Sequence, residues 1–99
     1  MKPLPEEFDK KGFHYRRLWR EGEVAIYEQS KGPAITFETI VVREQNATTL
    51  ELDGVKVDLE HREIYPSSEQ WGTYGWTTLD AFAAMRKARQ VIEERSKLQ

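Results

Sequence analysis

The stretch YPSSEQWGTYGWTTLDAFAAMRKARQ, residues 65–90, decides the fold of this chain. Its first half holds two tryptophans, two tyrosines and two glycines, and its second half carries the only long helical pattern in the sequence. Glycine beside a large ring lets the backbone turn tightly or pass close to another surface. The pairs Trp71-Gly72 and Gly75-Trp76 therefore predict that this stretch is the packing centre of the fold.

Two helix-start signals lie within the stretch. Ser67 and Gln70 have the spacing of a capping box, which predicts a single helical turn over Ser68 to Trp71. Thr77 and Asp80 repeat that spacing ahead of an uninterrupted run of good helix formers, and an acid in the first turn suits the helix dipole. We expect the second signal to begin a long helix.

The predicted long helix covers residues 79–96. Its apolar residues fall on one stripe of the helical wheel, which comprises Ala81, Ala84, Met85, Ala88, Val91 and Ile92, with Phe82 at its edge. Small alanines allow a helix to lie close against a sheet. Phe37 and Trp76 are expected to fill the space between the two layers.

Composition is that of one ordinary globular domain, residues 1–99. Hydrophobic residues make up 38% of the chain and charged residues 32%. The sequence has no cysteine, which excludes disulfides and thiolate metal sites and fits a reducing compartment. Neither a signal peptide nor a stretch of membrane-spanning length is recognisable. We therefore expect a cytoplasmic protein without membrane contact.

The first twenty residues combine one helical and one extended pattern. Pro5 to Gly12 has the leading proline, early acids, late lysines and final glycine of a short helix. The next segment alternates as a strand does. Its predicted faces are Phe13, Tyr15 and Trp19 on one side and His14, Arg16 and Arg20 on the other.

Three further strand signals complete the predicted sheet. Val24 to Gln29 is the expected hairpin partner of the preceding strand, and Ile35 to Arg43 is rich in β-branched residues. Its alternation predicts Ile35, Phe37 and Val41 on one face and Ile40 and Val42 on the other, with the far end of the strand covered on both faces. Asp53-Gly54 lies between two alternating runs, which is a strong hairpin signal. The prediction is an α+β fold: a curved antiparallel sheet of about five strands packed by one long C-terminal helix, with a short N-terminal helix.

A catalytic or metal-binding function would depend on Asp58, His61 and Glu63. Carboxylates and imidazole are the groups that ligate metals and transfer protons. Their spacing matches no ligand pattern, however, and a solvated strand end is the favoured explanation. The chain also has no nucleophile elbow and no phosphate-binding loop. We therefore predict no catalytic residue, no metal and no cofactor, and a protein that is not an enzyme.

Nucleic-acid binding is the first alternative function. The segment Phe13 to Arg20 interleaves rings with basic side chains, as sheet surfaces that hold single strands do. Trp19, Arg16 and Arg20 would then supply the contacts. The formal net charge of −2 and the acidic middle of the chain give no general attraction to phosphates. Rings within so small a domain are also needed for its core.

Protein binding is the function that the sequence favours. Trp and Tyr are enriched at protein interfaces, and exposed rings of the turn at 65–76 would form such a patch. Trp71 and Tyr74 are the predicted apolar anchors, with Glu69 and Gln70 as polar contacts around them. Arg16, Arg20 and Trp19 on the neighbouring sheet surface could contact the same partner. The partner would be another protein or a second copy of this chain, forming a homodimer.

The segment Trp71-Gly72-Thr73-Tyr74-Gly75, followed by a helix with Ala83 and Ala84, resembles the WGR domain, in which Trp-Gly-Arg-x-Gly precedes an alanine-containing helix. Thr73 stands where that family has arginine. The family is associated with nucleic acids, so the resemblance implies contact with DNA. The segments YPSSEQWGTYGWT and KKGFHYRRLWREGEVAIYEQSKG also resemble small uncharacterised proteins of bacteria and their phages, which implies a fold but no activity.

Overall fold

A computed structural model describes residues 1–97 and shows nine strands and one long helix in that part of the chain. The helix α1 covers Ala81–Ser96, and a 3-10 turn covers Ser68–Gln70. The predicted α+β class is confirmed. The strands are β1 (Glu7–Lys10), β2 (Phe13–Glu21), β3 (Val24–Lys31), β4 (Ala34–Val41), β5 (Arg43–Gln45), β6 (Thr48–Leu52), β7 (Val55–Leu59), β8 (Arg62–Ile64) and β9 (Gly75–Thr78).

Five strands form the main sheet, in the order β1-β2-β3-β4-β9, and all neighbours are antiparallel. The predicted number of strands is correct, but two members differ: β1 and β9 belong to this sheet, whereas the two predicted strands that flank Asp53-Gly54 lie outside it. Gly75–Thr78 was expected to lead directly into the helix, and instead it pairs with β4 as the second edge strand. The predicted hairpin around Asp53-Gly54 is present and lies outside this sheet.

The predicted N-terminal helix is wrong, because residues within Pro5 to Gly12 form the edge strand β1. The ring of Phe8 stacks on Tyr15 of the neighbouring strand at 4.8 Å between centroids. A lone helix of this length is marginal in water, whereas the strand gains both hydrogen bonds and this ring contact. Lys11 and Gly12 then form the turn with positive φ angles of 53° and 83°.

The sheet buries a separate apolar cluster on each face. The helix face packs Val24, Ile26 and Val41 against Ala84, Ala88 and Val91 of α1. The other face has no helix, and the N-terminal segment and residues 65–71 cover it instead. Its buried members are Leu4, Tyr15, Ala25, Tyr27, Ile40 and Val42, with Phe8, Phe13, Tyr65 and Trp71 partly buried around them.

A β-bulge at Leu18 reverses the alternation of β2. The pairing shifts between Arg17 and Trp19, so that Trp19 lies opposite Ile26 and packs on the helix face. The predicted common face of Trp19 with Phe13 and Tyr15 is therefore wrong, because a bulge adds one residue and inverts every following side chain. For the same reason Arg16 and Arg20 lie on opposite faces of the sheet.

The strand pairs β5–β8 and β6–β7 follow one another and build a two-stranded ribbon, residues 43–64, between β4 and β9. We call β6, β7 and their Asp53-Gly54 turn the ribbon tip. All ribbon-tip residues are exposed except Leu59, which is intermediate. The ribbon lengthens the molecule: its radius of gyration is 15.1 Å, whereas a compact domain of this size has about 13 Å.

The helix α1 begins two residues later than predicted. Asp80, not Thr77, is its N-cap, and the Asp80 carboxylate accepts a 2.7 Å hydrogen bond from the Ala83 N–H. Ala84, Ala88 and Val91 are buried as the stripe predicts, whereas Phe82 is 81% exposed. Within residues 1–97, no helix has both the length and the apolar character required to cross a membrane.

Candidate functional site

The face of the sheet opposite α1 contains an open cleft of about 410 Å³, which we call the aromatic cleft. Its floor comes from β2, β3 and β4, and its walls come from β1 and residues 65–77. The volume is within the usual range for sites that receive a ligand or a side chain. The cleft is lined by Lys10, Lys11, Phe13, Tyr15, Gln29, Glu38, Tyr65, Pro66, Ser68, Trp71 and Thr77.

Tyr65 is the ring around which the walls are assembled. Its centroid lies 5.5 Å from Tyr15 and 5.4 Å from Tyr27, both in edge-on contact. Trp71 lies 6.5 Å away with nearly parallel planes. Such arrangements are the favoured geometries of aromatic pairs. These ring contacts therefore fix the positions of the cleft walls.

Trp71 is held at the cleft by its immediate sequence neighbours. Its indole N–H donates a 3.0 Å hydrogen bond to the Thr77 hydroxyl. Gly72, with a φ of 91°, turns the chain, and its N–H donates to the Gly75 carbonyl at 2.8 Å. The ring lies directly over Gly75, where a Cβ atom would come within 2.5 Å of it. Gly72 and Gly75 thus allow the Trp71 ring to occupy this position.

Glu38 is a buried acid in the floor of the cleft, with only 6% of its surface exposed. It accepts a 2.5 Å hydrogen bond from the Tyr65 hydroxyl and has no ion pair within residues 1–97. Burial raises the pKa of the Glu38 carboxyl, although the hydrogen bond from Tyr65 opposes this shift. Burial and the neighbouring Glu38 also raise the pKa of Tyr65.

A line of hydrogen bonds orients the polar part of the floor. The Thr36 hydroxyl donates to the Gln29 side-chain oxygen at 2.9 Å, and the Gln29 amide donates to the Tyr15 hydroxyl at 2.9 Å. Desolvation raises the pKa of Tyr15. These neutral groups give the cleft fixed hydrogen-bonding partners beside its rings.

The rim of the cleft is positively charged. Lys10 and Lys11 are exposed lining residues, and the Lys31 ammonium lies 5.2 Å from the centroid of Phe13. Apart from the buried Glu38, no acid of residues 1–97 lines the cleft. Glu69 is exposed on the turn beside the lining residue Ser68. The lysines thus lie at the opening of the cleft, outside its rings.

The structure separates the predicted protein-binding residues. Trp71 lines the aromatic cleft, whereas Tyr74 packs on the helix-side cluster beneath the Arg43 guanidinium, 4.3 Å from its ring. Gln70 closes the predicted capping box by accepting from the Ser67 N–H at 3.0 Å. Of the two predicted polar contacts, Glu69 and Gln70, Glu69 is the one that is exposed to solvent. Only Trp71 belongs to the cleft itself.

The arginines of the predicted nucleic-acid strand are paired within the chain. Arg20 donates two hydrogen bonds, at 2.8 and 2.6 Å, to the Glu63 carboxylate. This contact lowers the pKa of Glu63 to about 2. Arg16 lies 3.4 Å from Glu28, and the neighbouring Arg17 lies 2.9 Å from Glu6. Their charges are already compensated.

Asp58, His61 and Glu63 do not converge. Asp58 accepts a hydrogen bond from Thr49 at 2.8 Å, and His61 lies 3.1 Å from Glu44. Glu63 bonds Arg20 and accepts from the Leu4 N–H at 3.0 Å. Within residues 1–97, no group of three His, Cys, Asp or Glu side chains is placed to hold a metal ion.

Sequence reasoning missed several residues of the cleft, notably Glu38, Gln29 and Lys10. One signal for Glu38 was present. It shares the even-numbered side of β4 with Ile40 and Val42, which were predicted to face inward, and an acid at an inward position of a strand requires a buried partner. Gln29 and Lys10 gave no comparable signal, because their place depends on pairing between strands.

Comparison with protein-family models, with curated proteins and with solved structures gave no match to this chain. The resemblances to the WGR domain and to small bacterial and phage proteins therefore stay predictions. What the molecule does must be inferred from the aromatic cleft and its surroundings.

Proposed function

We propose that this protein is a non-enzymatic binding module that captures an acidic, apolar segment of a protein partner in the aromatic cleft. The observation that carries the proposal is the union, in one open cleft, of the rigid rings of Tyr65 and Trp71 with the exposed Lys10 and Lys11. Rings of this kind are the usual anchors of protein interfaces, because they bury much area at small entropic cost.

The chemistry of the cleft specifies the segment. A bulky aliphatic or aromatic side chain can occupy the cleft against the rings of Trp71 and Tyr65, and Asp or Glu beside it can reach the lysines at the rim. The Gln29 amide and the Ser68 hydroxyl are available for backbone groups of the partner. Complementary charge steers the encounter, whereas the apolar contact supplies most of the affinity.

A binding function is also favoured over catalysis by the surroundings of Glu38. The Tyr65 hydroxyl keeps its proton because its pKa is raised, and it donates that proton in a hydrogen bond to Glu38, so the buried carboxylate is engaged within the chain. The absence of cysteine from the sequence suits a reducing compartment such as the cytoplasm.

Single-stranded nucleic acid is the second candidate ligand, because rings and lysines also combine in sites that stack bases and hold phosphates. Within residues 1–97 the aromatic cleft is the place that supports it, since the arginines of β2 are paired with glutamates. No basic track leads away from the cleft along β2, so a longer strand would find its phosphate contacts at the rim of the cleft.

The two candidates can be separated with the purified protein. A random peptide library displayed on phage is selected on the immobilised protein, and the enriched peptides are synthesised and titrated by tryptophan fluorescence. We expect peptides that join a large apolar residue to Asp or Glu. The cleft variant Lys10→Glu/Lys11→Glu should weaken their binding at least tenfold. Arg86→Glu/Arg89→Glu, which changes the same charge on exposed helix positions, should have no effect.

Two results would refute the proposed function. One is a library that yields no enriched peptide, and the other is an enriched peptide that binds the cleft variant as well as the wild type. Titration with oligothymidine at low and moderate salt is the parallel measurement. Saturable quenching that weakens steeply with salt, and disappears in the cleft variant, would assign the cleft to nucleic acid instead.

A further inference from the structure

The ribbon tip has one apolar and one polar face. Directly paired residues share a face, so the pairs Leu50 with Val57 and Leu52 with Val55 form the apolar side. The opposite side carries the hydrogen-bonded pair of Thr49 and Asp58, together with Glu51 and Lys56. The four apolar side chains are 37–60% exposed. Nothing in the described part of the same chain covers them.

A two-stranded hairpin of this kind is at best marginally stable alone in water. An exposed apolar face on a protruding element is also typical of an interaction surface. The ribbon tip therefore lacks the contact that would complete it. Its own aromatic cleft cannot supply that contact, because the ribbon holds the tip roughly 30 Å from its base at about 3.3 Å per residue.

Charge decides between the possible occupants of this face. The tip carries three acids, Glu51, Asp53 and Asp58, against the single base Lys56. Phosphates and acidic membrane surfaces are therefore repelled, and a second ribbon tip meets the same negative charge. The rim of the aromatic cleft has the opposite charge, with Lys10, Lys11 and Lys31 around its rings.

We propose that the ribbon tip of one copy of this chain inserts into the aromatic cleft of a second copy, so that two reciprocal contacts form a homodimer. Leu52 and Val55 enter the cleft and pack against its rings, and Asp53 faces the lysines of the rim. This segment has the acidic and apolar character for which the cleft was proposed above, and the inference rests on that proposed function.

A twofold axis allows both contacts to form together. When the axis is perpendicular to the line from cleft to tip, the lines of the two copies are antiparallel, and each tip reaches the other cleft. The second contact is then intramolecular, which raises the affinity of the pair well above that of either contact. One contact alone is small compared with a standard interface of about 800 Å² per partner.

The test measures the association of the full chain by sedimentation velocity over a range of concentrations. We expect a monomer–dimer equilibrium that weakens with salt. Leu52→Ser/Val55→Ser removes the apolar tip at exposed positions, and Lys10→Glu/Lys11→Glu removes the rim charge. Each should raise the dimer dissociation constant at least tenfold. Arg86→Glu/Arg89→Glu, a matched reversal of two exposed charges, should dimerise like the wild type.

Mixing the two variants provides the decisive measurement. The tip variant retains an intact cleft and the cleft variant retains an intact tip, so an equimolar mixture can form one of the two contacts. With one variant labelled by ¹⁵N, native mass spectrometry should show a heterodimer in excess of either homodimer well beyond the twofold excess that random pairing gives. Circular dichroism establishes that both variants are folded.

Three outcomes would overturn the inference. The first is a wild type that remains monomeric at several hundred micromolar. The second is a cleft variant that dimerises normally while the tip variant does not, which would indicate contact between two tips. The third is a mixture that forms no heterodimer. Any of these can occur while the cleft still selects acidic apolar peptides, so failure of the dimer and failure of the proposed function are distinguishable.

Discussion

The indole ring of Trp71 lies over the Cα atom of Gly75, so closely that a methyl group there would stand 2.5 Å from ring atom Cζ3. The same segment orients the ring through the hydrogen bond to Thr77. The aromatic wall of the cleft therefore depends on the absence of a side chain at position 75.

Gly75→Ala should displace the Trp71 ring and cost about 1–3 kcal/mol of unfolding free energy, the usual penalty for overpacking. Urea denaturation measures the loss. The cost should shrink in a Trp71→Leu background, where no ring opposes the methyl group. Equal costs in both backgrounds would show that the contact does not constrain the site. Thr73→Ala, at an exposed position of the same loop, is the control.

Tyr65→Phe should leave the buried Glu38 without its tyrosine donor. The expected loss of stability is about 1–3 kcal/mol, since an acceptor that loses its partner retains its desolvation cost. The pKa of Glu38 should rise further, which carboxyl NMR titration can follow. In a Glu38→Leu background the same change should cost less. Additive costs would mean that the two groups act independently.

Arg20→Ala should destabilise the protein by about 2–3 kcal/mol, because it strands the partly buried Glu63 carboxylate. Arg16→Ala is the matched control on the same strand. Its pair with Glu28 is longer and exposed, so its loss should cost less than about 0.5 kcal/mol. Similar costs for both arginines would contradict this ranking.

The Arg20–Glu63 contact should also appear in the pH dependence of stability. The folded pKa of Glu63, about 2, lies below its ordinary value of 4.5. The contact therefore contributes fully above pH 4.5 and is lost as the pH falls towards 2. Denaturation series at several pH values should show this loss in the wild type. Glu63→Gln should flatten that segment of the profile.

His14 should stabilise the edge strand in its protonated form. Its ring nitrogens lie 2.8 Å from Asp9 and 2.7 Å from Glu7 of β1, and these contacts raise its pKa above 6.5. Its contribution is complete below pH 6.5 and disappears as the pH rises through the folded pKa. Protection factors of the β1 amides should follow this change. His14→Gln should abolish it, and unchanged pH dependence in that variant would contradict the assignment.

Local signals in the sequence predicted the parts of the fold whose causes are local. The Asp53-Gly54 hairpin, the Ser67–Gln70 turn and the alternation of β4 each follow from neighbouring residues. The helix stripe is correct for Ala84, Ala88 and Val91 for the same reason.

The errors arose where a distant partner decides the conformation. Residues 7–10 have helix signals, yet the segment forms β1 because the ring of Phe8 stacks on Tyr15 of the next strand. The bulge at Leu18 is fixed by pairing with β3, so the opposite faces of Arg16 and Arg20 were not readable from alternation alone. Trp71 and Tyr74 are close in sequence, but they pack against different apolar clusters, which lie on opposite faces of the main sheet.

The ribbon also bears on the order in which the chain folds. Residues 42–74 separate the paired strands β4 and β9, and closing so long a loop is entropically unfavourable. Local closure at Asp53-Gly54 zips residues 43–64 together and leaves a much shorter effective loop, which saves roughly 1 kcal/mol of closure entropy. A ribbon that closes before β9 docks would therefore lower the entropic cost of bringing β9 to the sheet, and we expect substitutions in its Asp-Gly turn to slow refolding as well as to change the shape of the tip.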